Sequence, residues 1–280
     1  MKINPGSRLL LAGVVWATFR PEIAGSAFAQ AEQSTVVLAS TTSVENSGLL
    51  AYILPIFTRE TGITVRVVAQ GTGQALVTAA RGDADLVLVH DPEAEARFMS
   101  EKHGVLLREI AWNDFILVGP SSDPAHVAGS HDAVAAMRAI ALAQASFVSR
   151  GDNSGTDAKE KRLWQSAGID PSGPWYRDIG GGMGAALNAA AAMDAYTLSD
   201  RGTWIAFGNK RDLRIAVEGG RDLVNRYDVI TLNPSEHRPE AQKAALRLAD
   251  WLASPSGQAA IGGYQVLGQT LFHPEQDPKP

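Results

Sequence analysis

Short β-branched apolar runs alternate with amphipathic segments that stop at glycine, and this rhythm leaves the chain few folds to choose from. Ser34–Ser40, Ile63–Gln70, Asp83–His90 and Phe115–Pro120 read as strands. Between them Leu49–Gly62 and Gly71–Gly82 read as helices with a glycine stop, and a further helix starts in DPEAEARFMSE, with acids in its first turn. Strands apolar on both faces, separated by helices, predict a parallel sheet covered by helices. A second series follows. Asp132–Gln144 reads as a helix, SFVS as a strand, Ala158–Gly168 as a helix and Asp170–Trp175 as a loop. Met183–Tyr196 is expected to be a small-residue helix after the three glycines 180–182. TWIAF and Leu213–Glu218 are expected to be strands, Tyr227–Pro234 is β-rich, and Pro239–Ile261 reads as two helices broken at Ser254-Pro255. A chain of 280 residues can bury one large core or divide into two lobes.

The first residues do not fit that pattern. Lys2 and Arg8 precede the apolar run LLLAGVVWATF, and Ala27-Phe28-Ala29 offers a small-x-small cleavage site. Residues 1–29 therefore read as a secretory signal peptide cleaved near Ala29, which places the mature protein in the periplasm. Cysteine is absent, so neither a disulfide nor a lipid-modified cysteine anchor is available. The formal charge of the whole chain is -5, and removing the leader's three cations and one acid leaves -7. Such an acidic surface argues against nucleic acid, and it repels anions at long range. An anionic ligand would have to be held by local donors.

Three strand-to-helix junctions supply such donors: Thr41-Thr42-Ser43, Gly71-Thr72-Gly73, and Arg150 through Thr156 in FVSRGDNSGTDAKEKRLWQ. In a parallel sheet, ligands bind at the carboxyl ends of strands, where helix N-termini present unpaired N–H groups. The same residues also serve as ordinary helix caps. Arg150 could fork onto two oxygens of an anion or pair with Asp152 or Asp157. Asp157, near a helix start, reads as compensation of the helix dipole, or as an acceptor for a protonated ligand. No nucleophile elbow, P-loop or HExxH motif is present. The six histidines are scattered, and His90 at a strand end reads as structural, so no enzyme, metal or cofactor is expected.

With these residues in view, nearly the whole mature chain resembles the TupA-type tungstate-binding proteins, soluble receptors of ABC importers. STTSVENSGLL, VVAQGTGQALVTAARGDADLVLVH, FVSRGDNSGTD, LWQSAGIDPSGPWY and DAYTLSDRGTW carry the resemblance. It implies an α/β, two-lobe type II periplasmic binding protein fold. Each lobe would be a mostly parallel sheet flanked by helices, with crossover strands near Phe115–Gly119 and Asp228–Leu232. Lobe I would take residues 34–116 and 230–273, and lobe II residues 117–229. The family's hydroxyl and arginine pattern maps onto Thr41, Thr42, Ser43, Arg150 and Thr156, with Thr72, Ser154 and Gly155 as further donors on structural grounds. Ser40 replaces a family threonine and Asp157 a family histidine. The resemblance implies tungstate, or molybdate, as ligand and an inner-membrane ABC permease as partner of a monomer. A molybdate or phosphate receptor and a ligand-sensing regulatory module are the alternatives.

Overall fold

The computed structural model describes residues 34–234 and 239–280. The expected signal peptide and its cleavage point lie outside the described residues. The first half opens with β1 (Thr35–Thr41), α1 (Thr42–Asn46), α2 (Leu49–Thr61), β2 (Thr64–Gln70), α3 (Thr72–Ala80), β3 (Leu86–Val89) and α4 (Pro92–Ser100). Gly62 ends α2 at φ +73°, a conformation that a side chain would strain. The long β4 (Gly104–Pro120) leads into α5 (Ala133–Leu142), β5 (Phe147–Ser149), α6 (Gly155–Ser166), β6 (Tyr176–Asp178) and α7 (Met183–Met193). Next come β7 (Thr197–Asp200), α8 (Arg201–Ala206), β8 (Leu213–Val217), a 3-10 turn (Arg221–Leu223) and β9 (Val224–Leu232). α9 (Pro239–Leu252), α10 (Pro255–Gly262), β10 (Gln265–Val266), β11 (Gln269–Thr270) and β12 (His273–Pro274) complete the chain.

One sheet runs in the order β2-β1-β3-β9-β4-β12. β1 pairs in parallel with β2 and β3, while β9 runs antiparallel between β3 and β4. Beyond Asp114, β4 changes partners: Phe115–Val118 pair with β7 and Leu117–Pro120 with β8. β5 and β6 pair in parallel, and an isolated bridge from Phe147 to Tyr196 ties β5 to the residue before β7. β9 lies in the first sheet from Val224 onward. The exchange of sheets thus falls at Asp114/Phe115 and just before Val224, upstream of the boundaries expected from sequence.

Successive side chains of a strand point to opposite faces, and here both faces are apolar. Val36 and Leu38 of β1 join Phe57, Leu86, Leu248 and Phe272, whereas Ala39 faces Ala75, Val87, Phe98 and Ile230. In β4, Phe115 and Leu117 pack with Phe147, Trp164 and Tyr196, and Ile116 and Val118 with Leu187 and Trp204. Burying each large side chain contributes about 1.5–3 kcal/mol. These two pairs of clusters hold sheets and helices together in three layers. Among the described residues no helix is long and apolar enough to cross a membrane.

Three expectations need correction. β4 starts at Gly104, far upstream of Phe115, because β-bulges between Gly104 and Leu106 and between Glu109 and Ala111 break the alternation that would have revealed it. TWIAF is helix α8, not a strand. Asp200 caps it, accepting from the Thr203 amide at 2.8 Å and the Thr203 hydroxyl at 2.7 Å, and the strand is the preceding β7. α6 begins at Gly155, so Gly155 and Thr156 belong to its first turn rather than to the loop before it.

Candidate functional site

The chain ends of β1 and β5 meet at one cavity of about 900 Å3. Thr42 and Ser43, in the first turn of α1, line it from the first half; Arg150 and Asp152, in the loop after β5, line it from the second. Gly182, Met183, Gly184 and Ala185, at the start of α7, also face it. Sequence reasoning did not place α7 at the site. The signal was there, since three glycines precede that helix as two flank Thr72, and Gly180 takes φ +59° in the turn that delivers α7. The first amides of a helix have no intrahelical acceptor and carry the positive end of its dipole.

Arg150 is mostly buried and already partnered. Its Nη1 donates to Thr156 Oγ1 at 3.3 Å, and its Nη2 pairs with a carboxylate oxygen of Asp152. The pairing with Asp152 is one of the two outcomes the sequence left open, and the buried Nε has no partner. Burial raises the Asp152 carboxyl, but hydrogen bonds from Ser154 and Arg150 outweigh it and hold the group below the ordinary carboxylate range. Asp152 therefore occupies the guanidinium as an anion would. Asp200 also lines the cavity, with both oxygens committed to Thr203.

The other expected donors divide. Thr156 is buried and lines, with Ser43, His90 and Asp200, a small recess that shares Ser43, Asp200 and Gly202 with the main cavity. Ser154 caps α6, accepting from the Asp157 amide at 3.3 Å. Thr72 heads α3 with its hydroxyl buried and unpartnered, yet it is not among the residues lining the cavity. Asp157 is not at the cavity either. Its Oδ2 accepts from the Asn153 amide at 3.1 Å and from Lys161 Nζ at 2.7 Å, an arrangement that secures the start of α6. Ser40 is buried and donates to the Leu88 carbonyl across the sheet at 2.9 Å.

Thr41 is held by a buried polar chain that the sequence did not reveal. Asn225 Nδ2 donates to Asn113 Oδ1 at 2.9 Å and to the Tyr227 hydroxyl at 2.7 Å, which leaves Asn225 Oδ1 to accept from His90 Nδ1 at 3.2 Å. His90 Nε2 is then an acceptor, and it receives the Thr41 hydroxyl hydrogen at 3.1 Å. Thr41 Oγ1 in turn accepts from the Val44 amide at 3.2 Å. Burial pushes the imidazole below the ordinary histidine range, against opposing pulls from Asn225, Asp91 and Asp200. His90 stays neutral, and the hydrogen of Thr41 is spent on it. Thr41 positions α1 and donates nothing into the cavity.

Gly155 packs against the same ring. A Cβ there would lie 2.7 Å from His90 Cε1. Gly155→Ala is expected to destabilise the fold by about 1–3 kcal/mol, as other overpacked cores do. Both the ring and the start of α6 would have to shift. Thermal unfolding that matches the parent protein would show that the contact has slack. Among the described residues no group of three or more histidine, aspartate or glutamate side chains could hold a metal ion.

A sheet in the order β2-β1-β3-β9-β4, a second set of strands built on the end of β4, and donors from both facing one cavity define a type II periplasmic binding protein. A family model for the PBP superfamily domain matches residues 28–256. The chain is 42% identical over 246 residues to the tungstate-binding protein TupA of Peptoclostridium acidaminophilum, covering 86% of each. It is 34% identical to TupA of Campylobacter jejuni, over 82% of this chain and 87% of that one. The solved structure of TupA from Desulfovibrio alaskensis G20 superposes with a TM-score of 0.80 at 40% identity, covering 87% of this chain and all of that one. The chain belongs to the TupA family.

Proposed function

We propose that this protein is the soluble receptor of an ABC importer, exported to the periplasm with its leader cleaved near Ala29. It captures a tetrahedral oxyanion, tungstate, and hands it as a monomer to a membrane permease. The observation that carries this reading is the convergence of Thr42 and Ser43 from one half, and Arg150 and the start of α7 from the other, on one cavity. Tungstate offers only acceptors, and these groups are donors. The names of the relatives favour the same ligand. Thr156 contributes by holding Arg150 Nη1 and by facing the adjoining recess. Ser154 and Gly155 set the start of α6, and Thr72, which does not line the cavity, is left out of the donor set. Binding and delivery require no catalysis, and none is proposed.

The cavity is on the order of thirty times the ~30 Å3 that one water occupies in the liquid, far more than one small anion fills. Capture therefore includes closure of one half on the other, about the two places where the chain passes between sheets. Lobe I in this reading takes 34–114 and 224–273, and lobe II 115–223, which moves residues 115–116 of β4 to lobe II and residues 224–229 of β9 to lobe I. The separate hydrophobic clusters on either side support that division.

Hydrogen phosphate would require an acceptor for its proton; Asp157 is engaged with Lys161 and Asn153 away from the cavity, and the two lining carboxylates, Asp152 and Asp200, already accept from Arg150 and Ser154 and from Thr203. Native mass spectrometry of the protein purified from cells, followed by calorimetric titration, tests the ligand. A retained mass of tungstate, and micromolar or tighter binding that millimolar phosphate does not displace, is the expected result. Failure to bind tungstate at millimolar concentration would end this reading.

A further inference from the structure

A second cavity, of about 620 Å3, shares no lining residue with the first, and meets only the recess beside it, at His90, Phe115 and Asn225. Lys159 and Arg162 of α6, Arg221 of the 3-10 turn, Arg226 of β9 and Lys279 all face it, against the single acidic side chain of Glu93. In a chain of formal charge -5, that concentration of cations is the reverse of the average surface. Three of the five have local partners outside the lining. Arg162 pairs with Asp91 at 3.2 Å, Arg226 with Asp228 at 3.3 Å, and Lys279 with Glu109 at 2.6 Å. Lys159 and Arg221 have no ion pair among the described residues. Burial and the neighbouring charge of Arg162 hold the Lys159 ammonium below the ordinary lysine range, with only Asp222 opposing them. Lys159, half-buried beside Arg162 and without an ion pair, is unfavourable as it stands and is relieved by an anion, to which the exposed Arg221 adds a second free cation.

The remaining walls indicate what kind of anion. Phe115, Pro92 and Val224 supply apolar surface beside the charges. The volume falls in the ordinary range of small-molecule sites, about 300–1,000 Å3. Guanidinium forks match carboxylates, and cations on separate elements match anionic groups separated by a carbon skeleton. We propose that this cavity is a second ligand site, distinct from the oxyanion site, that takes a small di- or tricarboxylate. The two closely packed groups His90 and Gly155 stand in its wall, and Phe115 and Val224–Arg226 lie on the two strands around which the sheets exchange.

Citrate is the probe, titrated calorimetrically into the whole mature protein at about 0.1 M salt, alone and with saturating tungstate. One citrate bound in both conditions is expected, because no residue lines both cavities. The double variant Lys159→Gln/Arg221→Gln is expected to weaken citrate binding by at least about tenfold and to leave tungstate affinity unchanged, since two charge-assisted contacts are lost. Arg150→Ala is expected to do the reverse. Three results would overturn the proposal: no citrate binding to the wild-type protein at millimolar concentration, citrate binding that tungstate or Arg150→Ala abolishes, and undiminished binding in the double variant. Pyrophosphate binding as tightly as citrate would overturn the carboxylate assignment. Should the double variant fail to fold, the wild-type titrations with and without tungstate decide the matter alone.

Discussion

Arg150→Ala weakens tungstate binding by about 100-fold or more, on the proposed reading, and leaves the fold unchanged. Charge-assisted hydrogen bonds are each worth about 1.5–3 kcal/mol, and the guanidinium can offer two or three to an anion. Its Nε is buried without a partner, and its Nη2 is held by Asp152, which an oxyanion would displace. Alanine does more than remove donors. It leaves the Asp152 carboxylate lining the cavity with its countercharge gone, so the variant would also repel the ligand. Arg150→Lys restores charge without the fork and is expected to recover only part of the loss. Arg150 sits in the loop after β5, outside the hydrophobic clusters, so thermal unfolding of the alanine variant should stay close to that of the parent. Calorimetry decides: an affinity within threefold of wild type would remove Arg150 from the site.

The second large effect is on stability against pH and centres on Glu160. This side chain is buried between α6 and β6, where its Oε1 accepts from Trp164 Nε1 at 3.1 Å and from the Tyr176 hydroxyl at 2.9 Å. Burial raises its carboxyl to about 7, although the hydrogen bonds from Tyr176 and Trp164 pull it down. Folded protein then holds a proton that unfolded chain, titrating near 4.5, has lost. The corresponding stability is complete below about pH 4.5 and disappears as pH rises through about 7. The span corresponds to about 3 kcal/mol. Glu95 and Asp228, buried together beside β9, are both raised by burial and act in the same direction. His90 acts in the opposite direction, because its folded state resists the proton that an unfolded histidine accepts below about pH 6.5.

Glu160→Gln isolates the effect. The amide oxygen can still accept from Trp164 and Tyr176, but it cannot ionise. Relative to wild type, the variant is expected to gain about 2–3 kcal/mol of stability at pH 8 compared with pH 5. Urea denaturation at the two pH values measures this directly. Parallel pH profiles for the two proteins would mean that Glu160 is ionised in the fold.

The expectations that held and those that failed divide along physical lines. β1 and β3 were legible because both faces of each are buried, so their residues are apolar regardless of position, and β2, an edge strand, because its β-branched residues alternate. α2 and α10 were legible because local chemistry ends or starts them: Gly62 in a left-handed conformation, and Ser254 accepting from the Gly257 amide at 3.2 Å. β4 was half hidden because bulges shift its alternation. TWIAF was misread because β-propensity is weaker than a well-placed cap, and Asp200 makes that cap with two hydrogen bonds. Of the residues singled out in the sequence, Thr42, Ser43 and Arg150 line one cavity, whereas Thr41 and Thr72 do not. What escaped was which hydroxyl faces the cavity.

That question depends on residues distant in sequence. Thr41 and Thr42 are adjacent and chemically identical, yet one is spent on His90 while the other lines the cavity. The difference is made by Asn225 and Tyr227 of β9 and Asn113 of β4, which fix the tautomer of His90 from other strands. Residue types, their spacing and their local caps by themselves determined the alternation of strands and helices, the family pattern and the kind of donor available. Only tertiary packing decided where those donors point, that α7 joins them, and that five cations gather at a separate place. A hydrogen bond or an ion pair is spent according to what lies within about 3–4 Å in space, and nothing in the order of residues along the chain states that distance.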